Sequence, residues 1–303
     1  MNSRVVLQKA VLPARAHGWL TLGDDLLAGF VVNAADVAWA NSPAKIHDAM
    51  GLGFPGSPFS PTDSFVDVLR FENATFMNPI SAVGKTETSP QGFVDRPPFT
   101  GTGFVRAESK RAVIPLWWLE PTRVPQGAEL WRIHSDERQE LIAVYPHVAL
   151  GWQPVTQEGQ SAPQTFRNEL PPSDSVGTFI RWPDGLLAAQ KLSNGRVVCG
   201  DVDQREGLNL SESGRWITSF EPEDAPEVFG LKVTATWRGL SFQVVRRLPD
   251  PSGQASARLV YTGRNADEAE AAGLQKTDAA VYEVTAPWQE LENLTPVQLM
   301  TND

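Results

Sequence analysis

Short apolar runs cut by polar turns recur along this chain, and most have the length and composition of strands. Residues 65–71, Phe-Val-Asp-Val-Leu-Arg-Phe, are bounded by Thr62-Asp63-Ser64 and Glu72-Asn73, which predicts a strand. Residues 112–119 form another run, with Trp117 and Trp118 side by side. Residues 128–133 and 140–145 flank Ser135-Asp136-Glu137 and predict a hairpin. Helical punctuation is confined to a few places. Asn33 can cap residues 34–40, and Ser42-Pro43 supplies a cap and a first-turn proline for residues 44–50, which Gly51 then stops. Between these elements, residues 51–61 and 78–103 are dominated by Gly, Pro, Ser and Thr, so irregular loops are expected there.

After residue 175 one grammar occurs twice. Residues 176–182 end on Trp182 and lead through Asp184-Gly185 to Leu186-Leu187, then through Ser193-Asn194-Gly195 to residues 196–199. Residues 232–237 end on Trp237 and lead through Arg238-Gly239 to residues 240–245, then through Asp250 to Gly253 into residues 257–261. Each unit reads as a three-stranded meander, and together they predict an internal duplication, although the Trp-to-Gly spacing is three in one unit and two in the other. In the second unit, Asn265 with Glu268 predicts a capped helix that stops at Gly273. Residues 281–285 predict a further strand, and residues 289–294 a last helical turn. The expected fold is therefore α+β and strand-rich. A mixed N-terminal domain over 1–155 is followed by a linker at 156–175, a meander module at 176–228, and a meander with a short helix at 229–303.

Charge and cysteine content narrow the function classes. The formal net charge is -10; residues 1–160 hold 13 Lys/Arg against 16 Asp/Glu, and residues 161–303 hold 13 against 20. Nucleic acid and anionic membrane are poor partners for such a field, and a basic protein is a better one. Cys199 is the single cysteine, which excludes an intrachain disulfide. No run has the length of a signal peptide core or a membrane span, so a cytoplasmic location is expected.

Catalytic signatures are sparse. Gly51-Leu-Gly53-Phe-Pro-Gly56 matches a dinucleotide pattern in letters, but it lies between an expected helix and an expected strand, the reverse of the order that sets a pyrophosphate on a helix N-terminus. His17, His47, His134 and His147 show no metal-ligand spacing, so no metal and no cofactor are expected. No nucleophile elbow, phosphate loop or kinase motif occurs. A scattered site of the kind used by NAD-dependent transferases would draw on Arg70, Thr86, Ser89 and Glu129, on or beside the strands and the long loop. The ten tryptophans offer a second reading, in which Trp117, Trp118, Trp131 and Trp152 with the 78–103 loop form a protein-binding surface. Adjacent Trp117 and Trp118 face opposite sides of a strand, so they need separate cover.

Residues 65–71 and 122–133 are similar to segments of uncharacterised mycobacterial and related actinobacterial proteins. Residues 237–240, 259–263 and 281–283 resemble a small C-terminal module of actinobacterial proteins, some of them associated with secreted polymorphic toxins and their immunity factors. That resemblance implies an intracellular protein-binding factor, toxin-neutralising or secretion-linked, and the acidic charge makes a basic toxin the expected partner. The alternative reading is an NAD-using ADP-ribosyltransferase or NAD glycohydrolase, itself a toxin.

Overall fold

The computed structural model describes residues 5–54, 56–73, 76–81, 93–96, 99–105, 113, 116–155, 169–248 and 254–300. The chain begins with β1 (Val6–Val11), α1 (Pro13–Leu22), β2 (Leu26–Asn33), α2 (Pro43–Ala49), β3 (Phe65–Glu72) and β4 (Ile80–Ser81). It continues with β5 (Phe93–Arg96), β6 (Phe99–Val105), β7 (Leu116–Arg123), β8 (Ala128–His134), β9 (Gln139–Tyr145) and β10 (Gln153–Pro154). Eight of these strands make one antiparallel sheet in the order β10-β9-β8-β3-β1-β2-β7-β4, while β5 and β6 pair with each other.

Both faces of this sheet are covered, which is why its inner strands are near-continuous apolar runs. Trp117 packs with Phe30, Val68, Ile133 and the α2 residue Ile46 on one face. Trp118, one residue on, packs with Leu7, Val31, Leu69 and the α1 residue Trp19 on the other. The period of two along β7 thus splits the pair between two cores.

The second half adds β11 (Val176–Trp182), β12 (Gly185–Lys191), β13 (Val197–Asp201), β14 (Asn209–Leu210), β15 (Trp216–Phe220), β16 (Phe229–Trp237) and β17 (Leu240–Leu248). It closes with β18 (Ser256–Tyr261), α3 (Ala266–Ala271), β19 (Gln275–Asp278), β20 (Val281–Pro287) and β21 (Glu292–Met300). All of these strands share one antiparallel sheet, ordered β14-β15-β13-β12-β11-β16-β17-β18-β20-β19 with β21 on β16. Two five-stranded units of identical strand order therefore stand back to back at the β11–β16 pair. Their first hairpins close at Trp182↔Gly185 and Trp237↔Leu240, each over a two-residue turn. The unequal Trp-to-Gly spacing in the sequence vanishes in space, because Gly185 opens its strand whereas Gly239 sits in the turn. Each unit has its own small core, around Ile180, Leu187 and Cys199 in one and around Trp237, Phe242 and Tyr261 in the other, where α3 adds Ala266 and Ala269.

The sheet forks at β16. Residues 229–232 pair with β11 and residues 233–237 with β17, and β21 pairs along both stretches. A strand has only two edges, so β11 and β17 occupy the same one in succession, and their units diverge from the junction at Lys232 and Val233. The two large sheets pack through a shared core in which Ala10, Phe30 and Val32 meet Val176, Val245, Val260 and Val281.

Three expectations are corrected. Residues 34–40 form only a 3-10 turn, Ala34–Val37, whose Asn33 side chain accepts from the Ala35 amide; Val37 and Ala40 are drawn into the core before a helix can extend. Beyond Asn78 and Pro79, the described part of residues 78–103 is extended and contributes β4, β5 and most of β6, with the Thr100 amide bonded to the Arg264 carbonyl. Residues 289–294 make a 3-10 turn, Trp288–Glu290, and then enter β21, because Leu291 turns extended and the free edge of β16 offers a ladder. Among the described residues no helix is long and apolar enough to cross a membrane.

Candidate functional site

Two polar regions lie between the sheets. The first is a cluster of buried charge. Helix α1 stops at Gly23, whose φ of 80° is left-handed, and the chain then places Asp24 and Asp25 in the interior with exposures of 6% and 4%. Asp24 meets Arg258 at 3.1 Å, Arg15 at 3.5 Å and Arg246 at 3.7 Å. Glu283 takes Arg258 Nε at 2.7 Å and is also bonded to Arg15. Lys9 is paired with Asp278. Burial opposes ionisation of Glu283, but Arg15 and Arg258 outweigh it and hold the carboxyl at about 2. Burial likewise works against the Arg258 cation, yet Glu283 and Asp24 raise its pKa above the ordinary arginine value. The cavity beside Lys9, Arg15, Arg258 and Glu283 measures about 30 Å³, the space of one water.

Asp25 accepts from Tyr145 Oη at 2.9 Å and faces Arg123 Nε at 3.2 Å. Burial and the Asp25 charge push the Tyr145 phenol well above its usual pKa. Arg123 also donates to the carbonyls of Thr178, Val176 and Ser173. Its guanidinium lies against Gly177, where a Cβ would stand 2.6 Å from Cζ and where φ is +123°. Only glycine lets β11 approach this cation.

The second region is a cleft of about 290 Å³ beside the fork of β16. Exposed Glu72, Asn73, Glu120, Gln126 and Lys191 stand at its rim, while buried Pro121, Arg123, Val176 and Gln243 form its floor. Phe76, Leu231 and Leu299 give an apolar wall. Phe76 has a φ of 70°, a conformation that bulky residues rarely adopt, and its ring seats against Gly230, where a Cβ would lie 2.6 Å away. Lys232 bonds Glu120 at 2.8 Å across the mouth. Gln243 donates to the Pro121 carbonyl at 3.1 Å, whereas its Oε1 and the Thr122 hydroxyl are buried and bonded to none of the described residues.

The outer edge of β21 is a less suitable docking place. Arg238 and Gly239 both have positive φ, so Trp237↔Leu240 closes a tight hairpin as a hydrogen-bonded pair. Counting back by twos, Val233 bonds toward β17, and Pro296, its partner on β21, turns its nitrogen outward. The open edge therefore lacks a donor at mid-strand.

The residues that the sequence offered as candidates have varied fates. Trp117, Trp118 and Trp152 are 0%, 3% and 1% exposed, so they fill cores and do not form the expected binding surface. Trp152 stacks on Trp19 at 5.2 Å and donates to the Asp24 carbonyl. Trp131 is half-buried and donates to Glu129, with Arg70 over its ring at 5.2 Å. Arg70 and Glu129 are cross-strand partners on β3 and β8, but Arg70 is also bonded to Gln8 and Gln139. Thr86 and Ser89, with most of the 78–103 loop's remainder, lie outside the described residues. Burial pushes the Cys199 thiol up to about 12. His134 bonds Glu140 within the hairpin, and among the described residues no group of three or more His, Cys, Asp or Glu side chains could hold a metal ion.

Neither polar region was singled out from the sequence. Asp24-Asp25 after Gly23 carries the letters of an ordinary turn, and its partners Arg246 and Arg258 lie more than two hundred residues away. The cleft draws residues from seven strands and the loops between them, so only the fold assembles it. Compared with known proteins, the chain matches no family model, no curated protein and no solved structure.

Proposed function

We propose that this chain is a protein-binding factor that takes a short segment of its partner into the cleft between the sheets. The cleft carries the reading. It combines an apolar wall, both signs of charge and several primary amides in about 290 Å³, on a frame locked by buried ion pairs. Convergent polar groups on a preformed apolar hollow are what a binding pocket needs. The net charge of -10 steers a basic partner toward the molecule at long range. Neutralisation of a basic toxin is the finer form of this proposal and rests on the resemblance of residues 237–240, 259–263 and 281–283.

Gln126→Trp tests the reading, because Gln126 is exposed at the rim and a bulky ring there narrows the mouth without touching a core. Tagged wild-type and variant protein are incubated with lysate of the native cell. A partner retained in stoichiometric amount by the wild type and lost by the variant, at an unchanged unfolding midpoint, is the expected result. Equal capture by both overturns it.

A further inference from the structure

Resting on the reading of the cleft as a binding site, we infer that its occupant is a carboxyl-terminal chain end, one or two residues long with an apolar last side chain. Charge is the first argument. The lining holds Arg123, Lys191 and Lys232 against Glu72 and Glu120, and with Asp25 paired to Arg123 from beneath the floor the local charge balances to zero in a chain of -10. The cleft thus lacks the negative sign of the molecule around it. Glu120 is 58% exposed and Lys232 23%, so their bond across the mouth is a surface ion pair of little net worth. An incoming carboxylate replaces Glu120 on Lys232 while Glu120 returns to water, and the ammonium never goes unpaired.

Size is the second argument. At about 290 Å³ the cleft has room for the last one or two residues of a chain that ends inside it. The side chains around that end match its chemistry. Asn73 and Gln126 offer amides for the last peptide units, and Gln190 keeps its NH₂ donors because its Oε1 already accepts from the Val148 amide at 3.1 Å. Phe76, Leu231 and Leu299 receive the last side chain. The strained Phe76 at the wall is the kind of backbone outlier that concentrates at ligand clamps.

The test uses the full chain and fluorescence anisotropy with labelled hexapeptides ending in Leu or Phe, each made as free acid and as carboxamide. The free acid is expected to bind at least about tenfold more tightly than the amide, and that ratio is expected to fall toward one in Lys191→Gln/Lys232→Gln at an unchanged unfolding midpoint. Unlabelled N-acetyl-leucine separates a chain end from a free small carboxylate, since competition as tight as the unlabelled hexapeptide's overturns the assignment to a peptide. Equal binding of acid and amide also overturns it, as does a ratio untouched by the double variant. If no peptide binds while Gln126→Trp still blocks partner capture, the chain-end inference falls and the cleft reading stands. If Gln126→Trp leaves capture intact, the cleft reading itself falls.

Discussion

The charge cluster around Asp24 and the cleft beside Lys232 both gather cations and carboxylates from the two halves of the chain, but they differ in how far their charges are removed from water. In the cluster, Asp24, Asp278 and Glu283 are each under 10% exposed and each is matched by a cation from across the interface, Arg258, Lys9 and Arg15 respectively. In the cleft, Glu120 and Lys191 stand in solvent and the Lys232 pair spans an open mouth. Burial makes a charge costly to leave alone, so the cluster can only hold the sheets in register. Exposure makes a pair cheap to exchange, so the cleft can accept a ligand.

The largest expected effect breaks the cluster. Asp24→Ala leaves Arg246 without its carboxylate and Arg15 and Arg258 with only Glu283, and removal of one partner from a buried pair costs about 3–5 kcal/mol. Urea unfolding followed by tryptophan fluorescence measures it. Lys232→Gln at the cleft is expected to stay within about 0.5 kcal/mol of wild type. Comparable losses from the two substitutions would erase the distinction between the regions.

Acid titration sharpens the same contrast. The Glu283 carboxyl titrates at about 2 in the folded chain against an ordinary value of 4.5, so its contribution is complete above about pH 4.5 and is lost as pH falls toward 2. A depression of this size is worth on the order of 3 kcal/mol. Unfolding midpoints measured between pH 5 and pH 2 should fall in the wild type and fall less steeply in Glu283→Gln.

Gly177→Ala joins the two regions, because Gly177 lines the cleft and touches the Arg123 guanidinium that Asp25 holds. The added methyl meets Cζ and forces a backbone of φ +123°, at a cost of about 1–3 kcal/mol. Differential scanning calorimetry should show the loss, and a smaller loss from Gly177→Ala in an Arg123→Ala background than in the wild type would place the strain at that contact.

Local features of the fold were legible in the sequence, and those that depend on distant partners were not. The run at residues 65–71 and the turn at Ser135-Asp136-Glu137 carry their own boundaries, and both became strands and a hairpin where expected. The meander repeat was legible from Trp182 and Trp237, while its full five-stranded order was not, since β14 and β19 are short polar segments with little apolar pattern. Residues 289–294 combine Glu, Leu and Asn as a helix would, and only the open edge of β16 draws residues 292–300 into β21. Trp117 and Trp118 announced opposite faces but not that both faces are closed. Asp24-Asp25 and the cleft fell outside any local signal, because their chemistry exists only once the two sheets meet.

The smallest expected effect concerns the edge that the cleft reading sets aside. Pro296 on β21 pairs opposite Val233 with its nitrogen turned outward, so Pro296→Val adds an outward N–H without breaking a bond to β16. The substitution should therefore change stability by no more than about 0.5 kcal/mol, and its consequence lies in association. The outer ladder would regain its missing mid-strand donor beside exposed Leu294 and Met300, which favours edge-to-edge pairing between copies. Sedimentation velocity across a concentration series is expected to show more self-association in the variant than in the wild type. Partner capture should be unchanged, since the cleft and its rim are untouched. If Pro296→Val instead strengthens partner capture, the β21 edge takes part in binding and the cleft does not act alone.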